Sequence, residues 1–321
     1  MLDYGVNLAL SVNSSYAMPA AVAIHSAILS TSARCTVYVY DVGLSLSDRA
    51  KLIASVPKER SATLLFIEQA KGDISDDKGI AWAKLDLIRR LPVERVLYLD
   101  ADVLVRKDLI PLWNTDLGES CIGAVIDVGF PKGHAELGGG LEGSGYFNAG
   151  VLLLNLARAR MSMSEMEGMV NGMLALRFQD QDLFNIHFAS HWKPLDLRYN
   201  AQGLGTYANI AEAARDVALS ENAEDSSSLL DPTIVHFTGP VSPSLGQVLN
   251  PWVQPVTAKP WGYSGAPGHP FVEDWWKMVE LTDWKGIREQ QDYQVKMKAD
   301  KKQVVREGVE DFDRRTSWVS R

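Results

Sequence analysis

Over roughly its first 126 residues the chain alternates short β-rich runs with helical patterns, and this alternation leaves few folds open. Residues 6–11, 36–40, 63–67 and 95–99 read as strands. Residues 16–31 and 80–91 read as helices, the first with its apolar face at Ala20, Ala23, Ile24, Ala27 and Ile28. Another helix opens at Ser45-Leu-Ser-Asp48, a capping-box pattern. The expectation is an α/β fold, a mostly parallel central sheet flanked by helices. In such sheets ligands bind where strands end at their carboxyl side, so chemistry is to be sought among residues that follow strands.

Past a strand at 121–126 the pattern changes. Residues 129–145 contain seven glycines and read as a long flexible loop. A strand at 147–155 precedes a Met-rich helix near 164–176, whose methionines read as packing, and a second helix near 180–187. Residues 220–228 are polar and disorder-prone, 234–237 form a last strand, and a Pro/Trp-rich stretch runs to Trp261. With 321 residues, 46% of them hydrophobic, the chain can bury one large core or two modest ones. Cys35 and Cys121 lie far apart in apolar surroundings and read as buried thiols. A net charge of -8 argues against a nucleic-acid partner, which needs phosphates neutralised by Lys and Arg. No apolar run reaches the length of a membrane span and no secretory signal is visible, so the expected location is cytoplasmic.

The strand at 95–99 ends in Val96-Leu-Tyr-Leu-Asp100-Ala101-Asp102-Val-Leu-Val105. On extended backbone carboxylates at i and i+2 share a face, with Cα atoms roughly 6.5–7 Å apart, and can reach one hard cation. Unpaired they would be costly to hold there. Taken alone, the pair also suits capping aspartates of a strand-to-helix turn. It suits the nucleophile and general acid of haloacid-dehalogenase-type phosphatases as well, although those normally open their domain with this strand.

Three further segments bear on the choice. Gly145-Tyr-Phe-Asn148-Ala149-Gly150-Val151 brings an amide and small residues into a strand, with a glycine that permits close approach of a ligand. Gln179-Asp180-Gln181-Asp182 opens a helix, where acids also serve as caps. His236-Phe-Thr-Gly239 puts an imidazole at a strand end, as Asp102 is.

Taken in this order, these segments resemble glycosyltransferase family 8, which includes glycogenin and bacterial lipooligosaccharide α-galactosyltransferases. The similarity runs from about Asn7 to Gly239 and includes Pro111-Leu-Trp113 and Asp116-Leu-Gly118. It implies a GT-A domain at 1–262, a helical C-terminal extension at 263–321, and transfer of galactose or glucose from a UDP-sugar with retention of anomeric configuration. It implies Mn²⁺, or another divalent cation such as Mg²⁺, held by Asp100, Asp102 and His236. The donor would lie along Ser11, Asn13, Tyr16, Lys84, Ala101, Ala149 and Gly239. Asp127 and Asn148 would face the sugar, and Asp180 and Gln181 would flank the anomeric carbon. The acceptor would be a saccharide or a lipopolysaccharide-type glycolipid. Asn13 and Ser15 replace a common Asp and Asn of the family. An insertion separates Gly239 from Lys259-Pro260-Trp261, whose lysine would contact a phosphate.

A cation also answers an electrostatic problem, because a diphosphate beside Asp100 and Asp102 in an acidic protein would otherwise be repelled. Carboxylates with one imidazole suit Mn²⁺ better than Zn²⁺. The proline-rich insertion and the 129–145 loop are expected to close over bound donor. The tail from Lys285 is net +3 and reads as a solvated helix. Trp275, Trp276, Trp284 and Trp318 interleave with Lys277, Lys285 and Arg288, a pattern that suits either packing on the domain or peripheral membrane contact.

Overall fold

A computed structural model describes residues 5–137, 141, 145–189, 191–205, 228, 230–239, 259–263, 265–266 and 268–316. The first half follows the expected alternation: β1 (Gly5–Val12), α1 (Ala17–Ser30), β2 (Arg34–Asp41), α2 (Leu46–Ala54) and β3 (Ala62–Glu68). Then come α3 (Ile74–Lys78), α4 (Ala83–Arg90), β4 (Arg95–Leu99), β5 (Val103–Val105), α5 (Ile110–Trp113) and β6 (Ile122–Ile126). The second half contains β7 (Phe147–Asn155), α6 (Leu156–Met161), α7 (Met163–Met173), α8 (Gln179–His187), β8 (Trp192–Pro194) and β9 (Ile234–His236). Beyond the insertion, α9 (Val272–Val279) and α10 (Gln291–Thr316) follow.

Local chemistry sets several of these boundaries. The Ser45 side chain accepts the Asp48 N–H and so caps α2, as the capping-box pattern predicts. The helix expected at 16–31 starts as a 3₁₀ turn, Ser14–Tyr16, capped by the Asn13 side chain, before α1 continues it. The helix expected at 80–91 likewise opens as a 3₁₀ turn at Ile80–Trp82. Methionines 163 and 166 are buried and Met169 and Met173 pack beside them, so the Met stripe is core.

Seven strands form one sheet in the order β3-β2-β1-β4-β7-β6-β8. All neighbouring pairs are parallel except those made by β7, which runs antiparallel to β4 and to β6. The sheet is therefore mostly parallel, with one reversed strand near its middle. Alternate side chains feed two cores. Leu97 and Leu99 of β4 join Ile24 and Ile28 of α1 on one face, while Val96 and Tyr98 join Leu85 and Phe184 on the other. A separate two-stranded ribbon pairs β5 with β9 antiparallel, Val103 opposite His236.

Three of the four C-terminal tryptophans pack into the body of the protein. Trp275, Trp276 and Trp284 are 0%, 7% and 6% exposed and belong to the core that includes α1. Burying side chains of this size contributes about 1.5–3 kcal/mol each, which explains why the aromatic residues turn inward while Lys277 stays outside. Trp318 lies outside the described residues. The first turn of α10 is tied down by Tyr293, which donates to the Trp261 carbonyl (3.4 Å) and stands edge-on to Trp276. Burial pushes the Tyr293 hydroxyl up to about 12. Most of α10 is exposed, as expected of a solvated helix. No described helix is long and apolar enough to cross a membrane. Residues 220–227 and the insertion at 240–258, with the closure expected of it, lie outside the described residues, as do 138–140 and 142–144 of the glycine-rich loop.

Candidate active site

Chain geometry at the end of β4 assembles a cluster of ionisable groups. β4 stops at Leu99, and Ala101 and Asp102 form a turn into β5 in place of the extended backbone expected from the spacing. The carboxylates converge all the same. Pairing of Leu99 with Val151 sets Gly150 beside Asp100, whose N–H donates to the Gly150 carbonyl at 2.7 Å. Across the ribbon, the Phe237 N–H donates to the Asp102 carbonyl, which holds His236 next to the turn. Ligand atoms of Asp100, Asp102 and His236 all lie within 4.8 Å of one another. Two carboxylate oxygens and an imidazole nitrogen at that separation fit a divalent cation with a preference for oxygen ligands.

Gly150 makes this convergence possible. A Cβ there would lie 2.8 Å from His236 Nδ1 and 2.9 Å from Asp100 Oδ2. The missing Cβ lets the His236 and Asp100 side chains approach the β7 backbone closely.

Two lysines enter the cluster. Lys84 at the start of α4 sits 2.8 Å from Asp180 Oδ2 and 3.3 Å from Asp100 Oδ1. Its ammonium also lies over the Tyr98 ring, and Tyr98 donates to Asp100 Oδ1 at 2.9 Å. Burial alone would lower the Lys84 pKa, but Asp100 and Asp180 outweigh it and hold the ammonium well above its ordinary value. Burial pushes the Asp180 carboxyl up despite Lys84, which it shares with Asp100. Lys259, expected on a phosphate, is ion-paired with Asp102 across the insertion. His236 Nε2 lies 3.2 Å from the other Asp102 oxygen. Burial opposes ionisation of Asp102, but Lys259 and His236 outweigh it and hold the carboxyl well below its usual range.

The opposite wall is built from amides. Asp127 follows β6, and its Oδ2 accepts from Gln181 Nε2 (3.0 Å) and Asn148 Nδ2 (3.2 Å). Gln181 Oε1 accepts the Ala149 N–H at 2.9 Å, so both ends of its side chain are fixed. Asp127, Asn148 and Gln181 are each no more than 9% exposed. The two aspartates at the start of α8 divide their duties. Asp182, fully buried, accepts the Phe178 N–H, the Tyr146 hydroxyl and a His134 ring nitrogen, whereas Asp180 faces Lys84. Gln179, just ahead of them, carries φ +21, a left-handed value rare outside glycine.

The remaining expected residues lie around this centre. Ser11 Oγ is buried with no hydrogen-bond partner among the described residues. Asn13 Oδ1 accepts from Ser15 Oγ and the Tyr16 N–H. Tyr16 stands edge-on to Trp261 at 6.0 Å, and burial together with Asp102 and Asp100 raises its hydroxyl pKa against the pull of Lys259. Gly239 is exposed and a Cβ there would meet nothing. Beside the Ser14–Tyr16 turn, Trp261, Tyr263 and Tyr293 line a cleft. Sequence reading missed Asn200, which is fully buried between His236 and Asn148, and a lone Asn outside any motif gives no signal.

Residues 7–243 match the family profile described as glycosyl transferase family 8. Among curated relatives, a putative glycosyltransferase of Haemophilus influenzae is 27% identical over 210 residues, 61% of this chain and 63% of that protein. Glycosyltransferase GlyF of Streptococcus pneumoniae is 31% identical over 225 residues, 66% of this chain and 45% of its own length. The chain thus spans less than two thirds of the curated relatives it matches. Among solved structures, the galactosyltransferase LgtC in complex with donor and acceptor sugar analogues superposes with a TM-score of 0.62 at 25% identity, covering 86% of this chain and 96% of LgtC.

Proposed function

The chain belongs to glycosyl transferase family 8 and has the GT-A fold, and from that premise we propose that it moves galactose or glucose from a UDP-sugar to a hydroxyl of a saccharide or lipopolysaccharide-type glycan, with retention. The observation that carries the reading is the Asp100–Asp102–His236 cluster joined through Asn200 to the Asp127–Asn148–Gln181 amide wall, with Lys84 bridging Asp100 and Asp180. One side offers charge for a diphosphate, the other hydrogen bonds for a sugar. The likeness to LgtC supports galactose as the first donor to try.

Asp100, Asp102 and His236 would hold Mn²⁺ or Mg²⁺, which when bound would offset diphosphate charge and assist departure of UDP as a Lewis acid. Lys259, set free from Asp102, would reach a phosphate oxygen, and Tyr16 and Asn13 would hold the uracil end. Asp127 and Asn148 would bind sugar hydroxyls. In the reaction the bond from the anomeric carbon to the UDP oxygen breaks and the pair leaves with UDP. The acceptor oxygen bonds to the same face, and its proton passes to the departing phosphate oxygen. Gln181 is an amide and a poor nucleophile, so its part is to stabilise positive charge at the anomeric carbon, which favours this front-side route over a covalent intermediate.

The test is incubation with UDP-galactose and UDP-glucose, with Mn²⁺ and with EDTA, following UDP release and, in the presence of sugar acceptors, product anomer by NMR. Slow release of UDP in Mn²⁺ and an α-linked product are expected. Cleavage of simple phosphate esters instead would favour the phosphohydrolase reading of Asp100 and Asp102, and binding without turnover would favour a nucleotide-sugar-binding module.

A further inference from the structure

Asn200 bridges the two walls. It is fully buried, its Nδ2 donates to Asn148 Oδ1 at 2.9 Å, and its Oδ1 lies 3.0 Å from His236 Nδ1. Which atom of each amide faces which neighbour follows from groups that have no choice. The Gly150 N–H can only donate, and it points at the Asn148 side chain at 2.9 Å, so the Asn148 atom there is the oxygen. The other end of Asn148 faces the Asp127 carboxylate, which can only accept when ionised, so that atom is the NH₂. An Asn148 oxygen facing Asn200 requires Asn200 to present its own NH₂. The oxygen of Asn200 is then left for His236, and it can only accept.

The geometry points to Asn200 as a positioning residue that fixes the proton of His236 on Nδ1, so that Nε2 is the ring atom whose lone pair faces Asp102 and a cation. Oriented by a backbone N–H of β7 through two amides, one hydrogen-bond line joins the metal wall to the sugar wall: His236, Asn200, Asn148, Asp127, Gln181. The second step of that line is anchored by backbone as well. The His236 N–H donates to the Ala201 carbonyl and the Ala201 N–H to the Ile234 carbonyl, which holds Asn200 alongside β9. This inference rests on His236 as a cation ligand.

Two measurements test it. In the folded parent protein, labelled with ¹⁵N at histidine and saturated with UDP and Mg²⁺ so that Nε2 meets a cation and not the bare Asp102 carboxylate, long-range ¹H–¹⁵N spectra should report His236 with its proton on Nδ1. A proton on Nε2 would overturn the assignment without any variant. Mn²⁺ titration followed by electron paramagnetic resonance, in the presence of UDP, should then show roughly 10–100-fold weaker binding for Asn200→Leu. Asn200→Asp keeps an acceptor for Nδ1–H, loses the donor to Asn148, and should retain more Mn²⁺ affinity than the leucine variant while UDP-sugar turnover falls. If His236→Ala weakens Mn²⁺ binding and Asn200→Leu does not, the positioning role is wrong. If His236→Ala leaves Mn²⁺ binding unchanged, the metal-site reading fails first.

Discussion

The two walls of the cleft keep their residues in place by different forces. On one, Lys84, Lys259, Asp100, Asp102 and Asp180 are held by opposed charges. On the other, Asp127, Asn148, Gln181 and Asn200 are held by directional hydrogen bonds with both ends engaged. Ion pairs depend weakly on angle, so a lysine can exchange one carboxylate for another anion with little rearrangement. An amide locked at oxygen and nitrogen cannot turn without losing both bonds, each worth about 1 kcal/mol or more when buried. The charged wall is therefore suited to groups that come and go with their counter-charges. The amide wall is suited to holding a neutral ring in one pose.

Substitutions on each wall should separate these roles. The largest effect is expected from Asp102→Asn, which removes charge from the cluster. Activity should fall at least about a hundredfold, and UDP should bind much more weakly in Mn²⁺ while changing little in EDTA, by calorimetry. Equal UDP affinity for variant and parent in Mn²⁺ would break the division between the walls. Next comes Gly150→Ala, at the seam. Its Cβ would press His236 away from Asp100, so Mn²⁺ affinity should drop roughly tenfold or more, with about 1–3 kcal/mol lost from thermal stability through overpacking. A variant that loses stability but binds Mn²⁺ as the parent does would show that the glycine serves packing alone. The narrowest effect is expected from Lys259→Ala, which should raise the donor KM and leave kcat nearly intact, a change worth about 1.5–3 kcal/mol. A fall in kcat at constant KM would move Lys259 from binding to chemistry.

Much of this was legible because strands and their ends carry strong local signals. Hydrophobic runs gave every strand expected at 6–11, 36–40, 63–67, 95–99 and 147–155, and Asp100, Asp102 and His236 stood out as polar groups at strand ends. What local pattern cannot encode is direction and partnership. Nothing in the apolar run of β7 says that it lies antiparallel to β4, since a buried strand reads alike either way. Asn200 sits in no motif, and its importance comes from two neighbours 36 and 52 residues away. The tryptophans near residue 280 are ambiguous in sequence for the opposite reason: aromatic residues interleaved with lysine look alike at a membrane and around a core, and only burial shows that these three pack inward.

The reversed strand also has a consequence for how the protein is made. Asp100 and Asp102 leave the ribosome long before Phe147–Asn155 and His236. Until β7 arrives, β4 is an unpaired edge with two acidic groups at its tip and no amide wall opposite. The first four strands in sheet order can pair among themselves, but the cleft is finished only by contacts that close more than a hundred residues of chain, a slow step in folding. Completion of the cleft is thus a late event of this molecule's synthesis, and the exposed edge of β4 is the surface a folding intermediate must protect.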